Sequence, residues 1–365
     1  MSQTAKRPNI VLIISDDHGR EALGCYGNPV VKTPNLDALA AEGIRFSNSF
    51  CTTASCAPSR SVVLTGLHNH TNGTFGLTHS PHNFSIAEGI KTLPIYLGEA
   101  GYRTGRIGKQ HYRPVSQFPF DWDPEETSKA ISSYDAQEVH GDDDDEAYRR
   151  VRDDMLKADH CADFINQEDD RPFFLYFASH DIHVPRMPHE RFQGQSSMGL
   201  RGDAIVQLDW SVGEIVRILK EQGLEDNTLI VFCSDNGPVL FDGYKDGAKE
   251  ELGDHQPAGP YSGGKYKIME GGTRTPFITC WPGTIEPGVS DEVVSTIDLA
   301  TSLATYLGVN IPDDACLDSI DVMGALLGRK SATGRSQLIE QDNWGACLGY
   351  REGKWKLQRL AKYDR

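Results

Sequence analysis

Cys56 is the residue of this 365-residue chain best placed to act as a nucleophile or to become one. It lies in Cys51-Thr-Thr-Ala-Ser-Cys56-Ala-Pro-Ser-Arg60-Ser-Val-Val-Leu-Thr-Gly66. Pro58 keeps Ala57 out of helical dihedrals yet fits a first helical turn, so the spacing predicts a helix that begins just after Cys56 and stops at Gly66. The thiol then faces unpaired N–H groups and the positive end of the helix dipole, which lower a thiol pKa and gather anions. Arg60, one turn on, adds a fork for a planar or tetrahedral oxyanion. The same features describe a half-buried cysteine beside an ordinary helix start. Local chemistry alone leaves both open.

Two polar clusters end apolar runs. Residues 9–14 are continuous, apolar and β-branched, the pattern of a strand buried on both faces of a parallel sheet, and they lead into Ser15-Asp16-Asp17-His18-Gly19. Residues 228–233 form a second such run, ending in Ser234-Asp235-Asn236-Gly237. Open α/β sheets hold ligands outside the C-terminal ends of their strands, and carboxylate and amide oxygens suit a hard cation, calcium or magnesium. Alone, each cluster equally describes a turn; two of them at strand ends, flanking the Cys56 loop, fit one cation. A further strand over 102–107 delivers Gly108-Lys109-Gln110-His111, where residues two apart in an extended segment point the same way and present a cation with a proton donor. Another over 171–179 delivers His180-Asp-Ile-His183-Val-Pro185. Ser262-Gly-Gly-Lys265-Tyr-Lys-Ile-Met-Glu270 offers one more ammonium, with Lys267 as the alternative if the loop is offset.

Cys56-Ala-Pro-Ser-Arg60, with Thr65-Gly66 five positions on, resembles the signature of the type I sulfatases of the alkaline phosphatase superfamily. The Asp-Asp, Gly-Lys-x-His, His-Val-Pro, Asp-Asn-Gly and Lys265 elements follow in that family's order over nearly the whole chain. The resemblance implies that Cys56 is converted to formylglycine, by a formylglycine-generating or anaerobic sulfatase-maturing enzyme, and that the aldehyde hydrate attacks sulfur. It implies a cation, calcium or else magnesium, held by Asp16, Asp17, Asp235, Asn236 and the modified Cys56. Arg60 would anchor the hydrate, and Lys109, His183 and Lys265 would surround the sulfate. His111 would take the hydrate's second proton as the covalent sulfate ester collapses.

The implied substrate is a sulfated amino sugar or glycosaminoglycan fragment. Residues 66–79 and the Gly-Lys-x-His element resemble the heparan N-sulfatases, whereas 180–276 resemble sulfatases of sugar O-sulfates, so sulfamate and ester both stay open. A phosphomonoester or phosphonate hydrolase of the same superfamily is one alternative. A non-catalytic member that binds sulfated glycans through an unmodified site is another. His68, His70, His79 and His82 either rim the pocket or lie on an exposed loop.

Positioning these groups takes alternating strands and helices. Residues 33–43 open with Thr33-Pro34 and 92–101 with Thr92-Leu-Pro94, both close on Gly, and 298–308 open on a capping Asp298. Ile205, Leu208, Val212, Ile215, Val216 and Leu219 recur at helical spacing over 201–223. The alternation predicts an α/β fold. The resemblance gives it the form of an alkaline-phosphatase-like large mixed, mostly parallel sheet flanked by helices. Residues 1–330 would be the catalytic domain, and 331–365 the start of a small, shortened C-terminal antiparallel subdomain with a hairpin around Gly353.

The acidic segment 121–154, centred on Asp142-Asp-Asp-Asp-Glu146, reads as a solvated excursion and not a metal site. With 36 basic and 52 acidic residues the formal charge is -16, which argues against nucleic acid or an anionic membrane as partner. An acidic protein that binds an anion must then gather its cations in one pocket. Eight scattered cysteines predict reduced, buried thiols, and a Cys51–Cys56 disulfide would disable the nucleophile. No apolar run reaches membrane-spanning length and no signal-peptide core precedes the first strand, so the chain as written is expected in the cytoplasm, or in the periplasm, outside the cell or in the lysosome if a leader has been removed.

Overall fold

Strand β1 (Asn9–Ser15) is buried along its whole length. It pairs in parallel with β4 (Phe173–Ala178) on one side and β5 (Thr228–Ser234) on the other. With neighbours on both edges and helices over both faces, it has no place for a polar side chain, hence the uninterrupted apolar run. The computed structural model describes residues 7–78, 82–124, 157–243 and 246–361; Asp142 to Glu146 and His79 lie outside them.

β3 (Arg103–Gly108) lies beyond β4, and β6 (Phe277–Cys280), β2 (Ile44–Phe50) and β7 (Gly288–Ser295) lie beyond β5. The order is β3-β4-β1-β5-β6-β2-β7, with only β6 antiparallel to its neighbours. The sheet is therefore mixed and mostly parallel, as the resemblance implies. Alternation along β1 splits the core in two. Ile10, Leu12 and Ile14 pack with Leu93, Leu97, Leu299 and Leu303, while Val11 and Ile13 pack with Leu36, Ile205, Leu208 and Val212. Each such side chain contributes about 1.5–3 kcal/mol on burial.

Helix α1 (Pro34–Glu42) and the long helix Gly199–Glu221 cover one face. Helix α2 (Cys56–Thr65) enters the other core through Val63 and Leu64, and all ten of its residues are buried. It starts at Cys56 itself, one residue earlier than the sequence spacing predicts. Two expected caps also differ. Thr33 Oγ1 accepts from Gly24 N at 2.9 Å and donates to Asp37 Oδ1 at 3.1 Å, and Asp298 holds Arg335 Nε at 2.6 Å and Ile320 N at 2.9 Å. In both, a partner outside the first turn outcompetes the local N–H groups.

Near the C-terminus, β8 (Gln337–Gln341), β9 (Leu348–Glu352) and β10 (Trp355–Arg359) form a small antiparallel sheet with Gly353, at φ 55°, in the last turn. Gln341 bridges to Thr53, and its N–H donates to Thr52 O at 2.8 Å. The end of β8 is thereby fastened to the segment that leads into Cys56. Among the described residues, no helix is long and apolar enough to cross a membrane.

Candidate active site

Pairing of Ser15 with Ser234 sets the acidic clusters side by side at the C-terminal ends of adjacent parallel strands. Asp17 turns with φ 54°, a left-handed conformation that Asp tolerates. Its N–H donates to Asp235 Oδ1 at 3.3 Å, and Asn236 Nδ2 donates to Asp17 Oδ1 at 2.8 Å. Oxygens of Asp16, Asp17 and Asp235 lie within 4.8 Å of one another, and all three residues are wholly buried. Asn236 Oδ1 is buried with no hydrogen-bond partner. Three carboxylates and an orphaned amide oxygen form a hard donor set, which fits a calcium- or magnesium-like ion.

Three cations close on these acids. Arg60 Nε reaches Asp235 Oδ2 at 2.9 Å, and its Nη2 lies 2.8 Å from the same oxygen and 3.4 Å from Asp16 Oδ2. Lys109 Nζ bonds Asp16 Oδ2. Lys265 Nζ is 3.0 Å from Asp17 Oδ1 and 2.7 Å from Asp242 Oδ2. Burial works against the charge on both lysines, and the facing carboxylates, Asp16 for Lys109 and Asp17 for Lys265, outweigh it and hold their pKa values up. Burial also opposes ionisation of Asp16, yet Lys109, His183 and Arg60 keep that carboxyl well below the usual range. Arg60 thus turns its fork to two carboxylates, by a hydrogen bond from Nε and ion-pair contacts from Nη2.

Cys56 Sγ donates to Asp16 Oδ1 at 3.4 Å and also comes within 4.8 Å of a His183 nitrogen. The expected acidification by the helix N-terminus is overturned. Burial drives the Cys56 thiol well above its ordinary pKa and Asp16 adds to the rise, against the pull of Lys109 and Lys265. At 1 % exposure, desolvation exceeds the dipole's 0.3–1 kcal/mol scale (approximately). A free thiolate is therefore a poor candidate nucleophile here. All eight cysteines are free, and Cys51 Sγ donates to Gly272 O at 3.8 Å.

His183 is half-buried, with Nδ1 2.5 Å from Val184 O, and its ligand atom also comes within 4.8 Å of Asp17 and Asp242 oxygens. Burial, then Lys109 and Lys265, lower its pKa to about 4, so the ring is neutral near pH 7 with Nδ1–H on the carbonyl and Nε2 as the acceptor. His180 is likewise kept neutral by burial and Lys109. The extended backbone assumed for Lys109 to His111 is not present: Gly108 has φ 91° and His111 itself has φ 41°. Lys109 joins the acids; His111 is half-buried.

Asp242 escapes sequence reading because it sits in a patternless loop. It accepts from Lys265 and, at 3.0 Å, from Tyr266 Oη. The available signal was Lys265 itself, a buried ammonium that needs more than one acceptor.

Residues 8–309 match the profile of the family described as Sulfatase. The chain belongs to the sulfatase family. This sulfatase is 34% identical to the N-acetylgalactosamine-6-O-sulfatase of Bacteroides thetaiotaomicron, over 97% of its own length and 83% of the relative's. It is 33% identical to human arylsulfatase A, over 96% of its own length and 75% of the relative's. A structure from work on glycosaminoglycan metabolism by Bacteroides thetaiotaomicron superposes with a TM-score of 0.83 at 31% identity, covering 97% of this sulfatase and 88% of that chain. These relatives match both halves of the sequence, so the likeness of its first half to heparan N-sulfatases gives way to a likeness to O-sulfatases and arylsulfatases throughout. The enzyme is a sulfuric ester hydrolase.

Proposed function

We propose that this sulfatase removes an O-sulfate from an amino sugar of a glycosaminoglycan-type saccharide, with formylglycine made from Cys56 by a maturation enzyme as its nucleophile. One observation carries the proposal: Cys56 Sγ lies 3.4 Å from Asp16 Oδ1, where three carboxylates and three cations meet. With Asp242 beside Lys265, four carboxylates face three cations, so a divalent ion on Asp16, Asp17, Asp235 and Asn236 reverses the balance and leaves the pocket cationic, the polarity a sulfate monoester requires.

Such an ion supplies a Lewis acid for a sulfate oxygen and favours the ionised form of a nearby hydroxyl. The protein's own groups do the rest. Lys109 and Lys265 orient nonbridging oxygens. Neutral His183 turns Nε2 to the reacting group, and Arg60 fixes Asp235 and opposes the rise to about 7 that burial and Asp16 impose on its carboxyl. His111 is assigned the proton transfer that releases the product sulfate. The O-sulfate is supported by the named specificity of the bacterial relative, which acts at position 6 of N-acetylgalactosamine.

Peptide mass spectrometry across residue 56, on protein made in a host with a maturation system, should show oxygen in place of sulfur; an unmodified thiol in a preparation that turns over sulfate would sink the assignment. Side-by-side assays with 4-nitrophenyl sulfate, 4-nitrophenyl phosphate, and 6-O-sulfated and N-sulfated amino sugars test the substrate. Faster phosphate turnover, or preference for the N-sulfate, counts against it.

A further inference from the structure

The bond from β8 to the Cys56 segment brings a second group of side chains to the site. After Gln341 the chain makes a tight loop to β9, and Asp342 holds that loop closed. Its carboxylate accepts from Ala346 N at 2.7 Å and Cys347 N at 3.1 Å, and its carbonyl accepts from Gly345 N at 3.1 Å. Gly345 turns with φ 67°. The loop is thus rigid, and what it presents is Trp344, whose surface is 53 % exposed. The indole is braced from behind by His82, at a ring-centroid distance of 4.7 Å and an interplanar angle of 65°.

A rigid, braced, solvent-facing indole offers a flat apolar face on which a ligand can stack. Two further features say which ligand. Gln341 and Asn343 precede Trp344 in the same segment, are only 2 % and 4 % exposed, and leave Gln341 Nε2 and Asn343 Oδ1 without hydrogen-bond partners. Gln341 Oε1 is already fixed against His70 Nδ1 at 3.2 Å, so its amide nitrogen is held in place. One flat apolar ring on a segment that also carries an orphaned donor and an orphaned acceptor is the complement of a pyranose, which offers an axial C–H face and a rim of hydroxyls. An acidic or basic ligand is not favoured, because none of these three side chains carries charge.

We propose that Trp344, with Gln341 and Asn343, forms a saccharide subsite that holds a neutral part of the substrate next to the sulfated sugar. The inference rests on the sugar-sulfatase reading above and adds to it a residue that discriminates chain substrates from small aryl sulfates. Trp344 is a positioning and specificity residue. It makes no contact with the reacting atoms.

Kinetics of Trp344→Ala and Trp344→Phe decide the matter, measured on 4-nitrophenyl sulfate and on a 6-O-sulfated N-acetylhexosamine disaccharide, with near-UV circular dichroism and thermal melting to confirm folding. Trp344→Ala should raise KM for the disaccharide about tenfold at unchanged kcat, leave 4-nitrophenyl sulfate turnover within about twofold, and be rescued by Phe. Equal losses on both substrates would make Trp344 a merely structural residue, and no loss on either would leave the indole without a ligand; each result overturns the proposal. If the wild-type enzyme hydrolyses no sulfate ester, the function reading fails separately. Quenching of tryptophan fluorescence by the disaccharide, in wild type against Trp344→Ala, then tests the subsite alone. Binding that survives the substitution refutes it, and binding lost with the indole upholds it.

Discussion

Asp16, Asp17 and Asp235, at the floor of the site, are wholly buried and each meets a cation, whereas Trp344 at the rim keeps 53 % of its surface open and meets the His82 ring. The two regions answer to different constraints. Floor groups are placed by strand register, Ser15 against Ser234, and no single one can move without leaving an opposite charge stranded in a dry interior. Rim groups are placed by a loop that Asp342 ties through its backbone, so their side chains are free to be chosen for a ligand. Chemistry and selectivity are thus separable by mutation.

The largest test of that separation is Cys56→Ala. Aryl sulfate turnover should fall by at least about 10⁴-fold, with the melting temperature within a few degrees of wild type. Retention of more than a hundredth of the activity would remove Cys56 from the chemistry. Next comes Asp235→Ala, which takes from Arg60 the nearer of its two carboxylates. Urea denaturation should report a loss of about 3–5 kcal/mol, and a loss below about 1 would show that the floor is not electrostatically interlocked.

Asp181 separates charge from packing at the edge of the floor. Burial raises its carboxyl to about 7 despite hydrogen bonds from Ser179 and Gln207 that favour the anion. Its unfolded pKa is about 3.9, so the fold prefers the neutral acid; that contribution is complete below about pH 4 and is lost as pH rises through 7. Asp181→Asn, permanently neutral, should gain about 2–4 kcal/mol over wild type at pH 8 and nothing at pH 4. A flat difference across that range would mean that Asp181 is not titrating in the fold. The smallest effect belongs to the rim: His82→Ala should change stability by less than about 1 kcal/mol, and a larger loss would show that the rim is load-sharing with the core.

Much of the floor was readable from residues alone. A buried parallel strand leaves an apolar run that stops abruptly, so Asp16, Asp17, Asp235 and Asn236 stood out at the stops, and Pro58 marked the helix that starts at Cys56. Three things were hidden. The thiol's raised pKa depends on how deeply the rest of the chain covers it, and helix position says nothing of that. Asp242 earns its place only through a buried lysine 23 residues away. The rim depends on Gln341 pairing with Thr53, a contact across the two sheets with no local sequence period to announce it. The backbone through Lys109 and His111 differs for a smaller reason: a positive φ at Gly108 breaks the extended segment that the spacing assumed.

The near-total enclosure of Cys56 sets a timetable. The residue is 1 % exposed, and its partner Asp16 sits beside a strand that begins at Thr228, far later in synthesis. Any second protein that is to rework that side chain has its opportunity while the polypeptide is still emerging or not yet compacted, and once β5 has docked the door is shut.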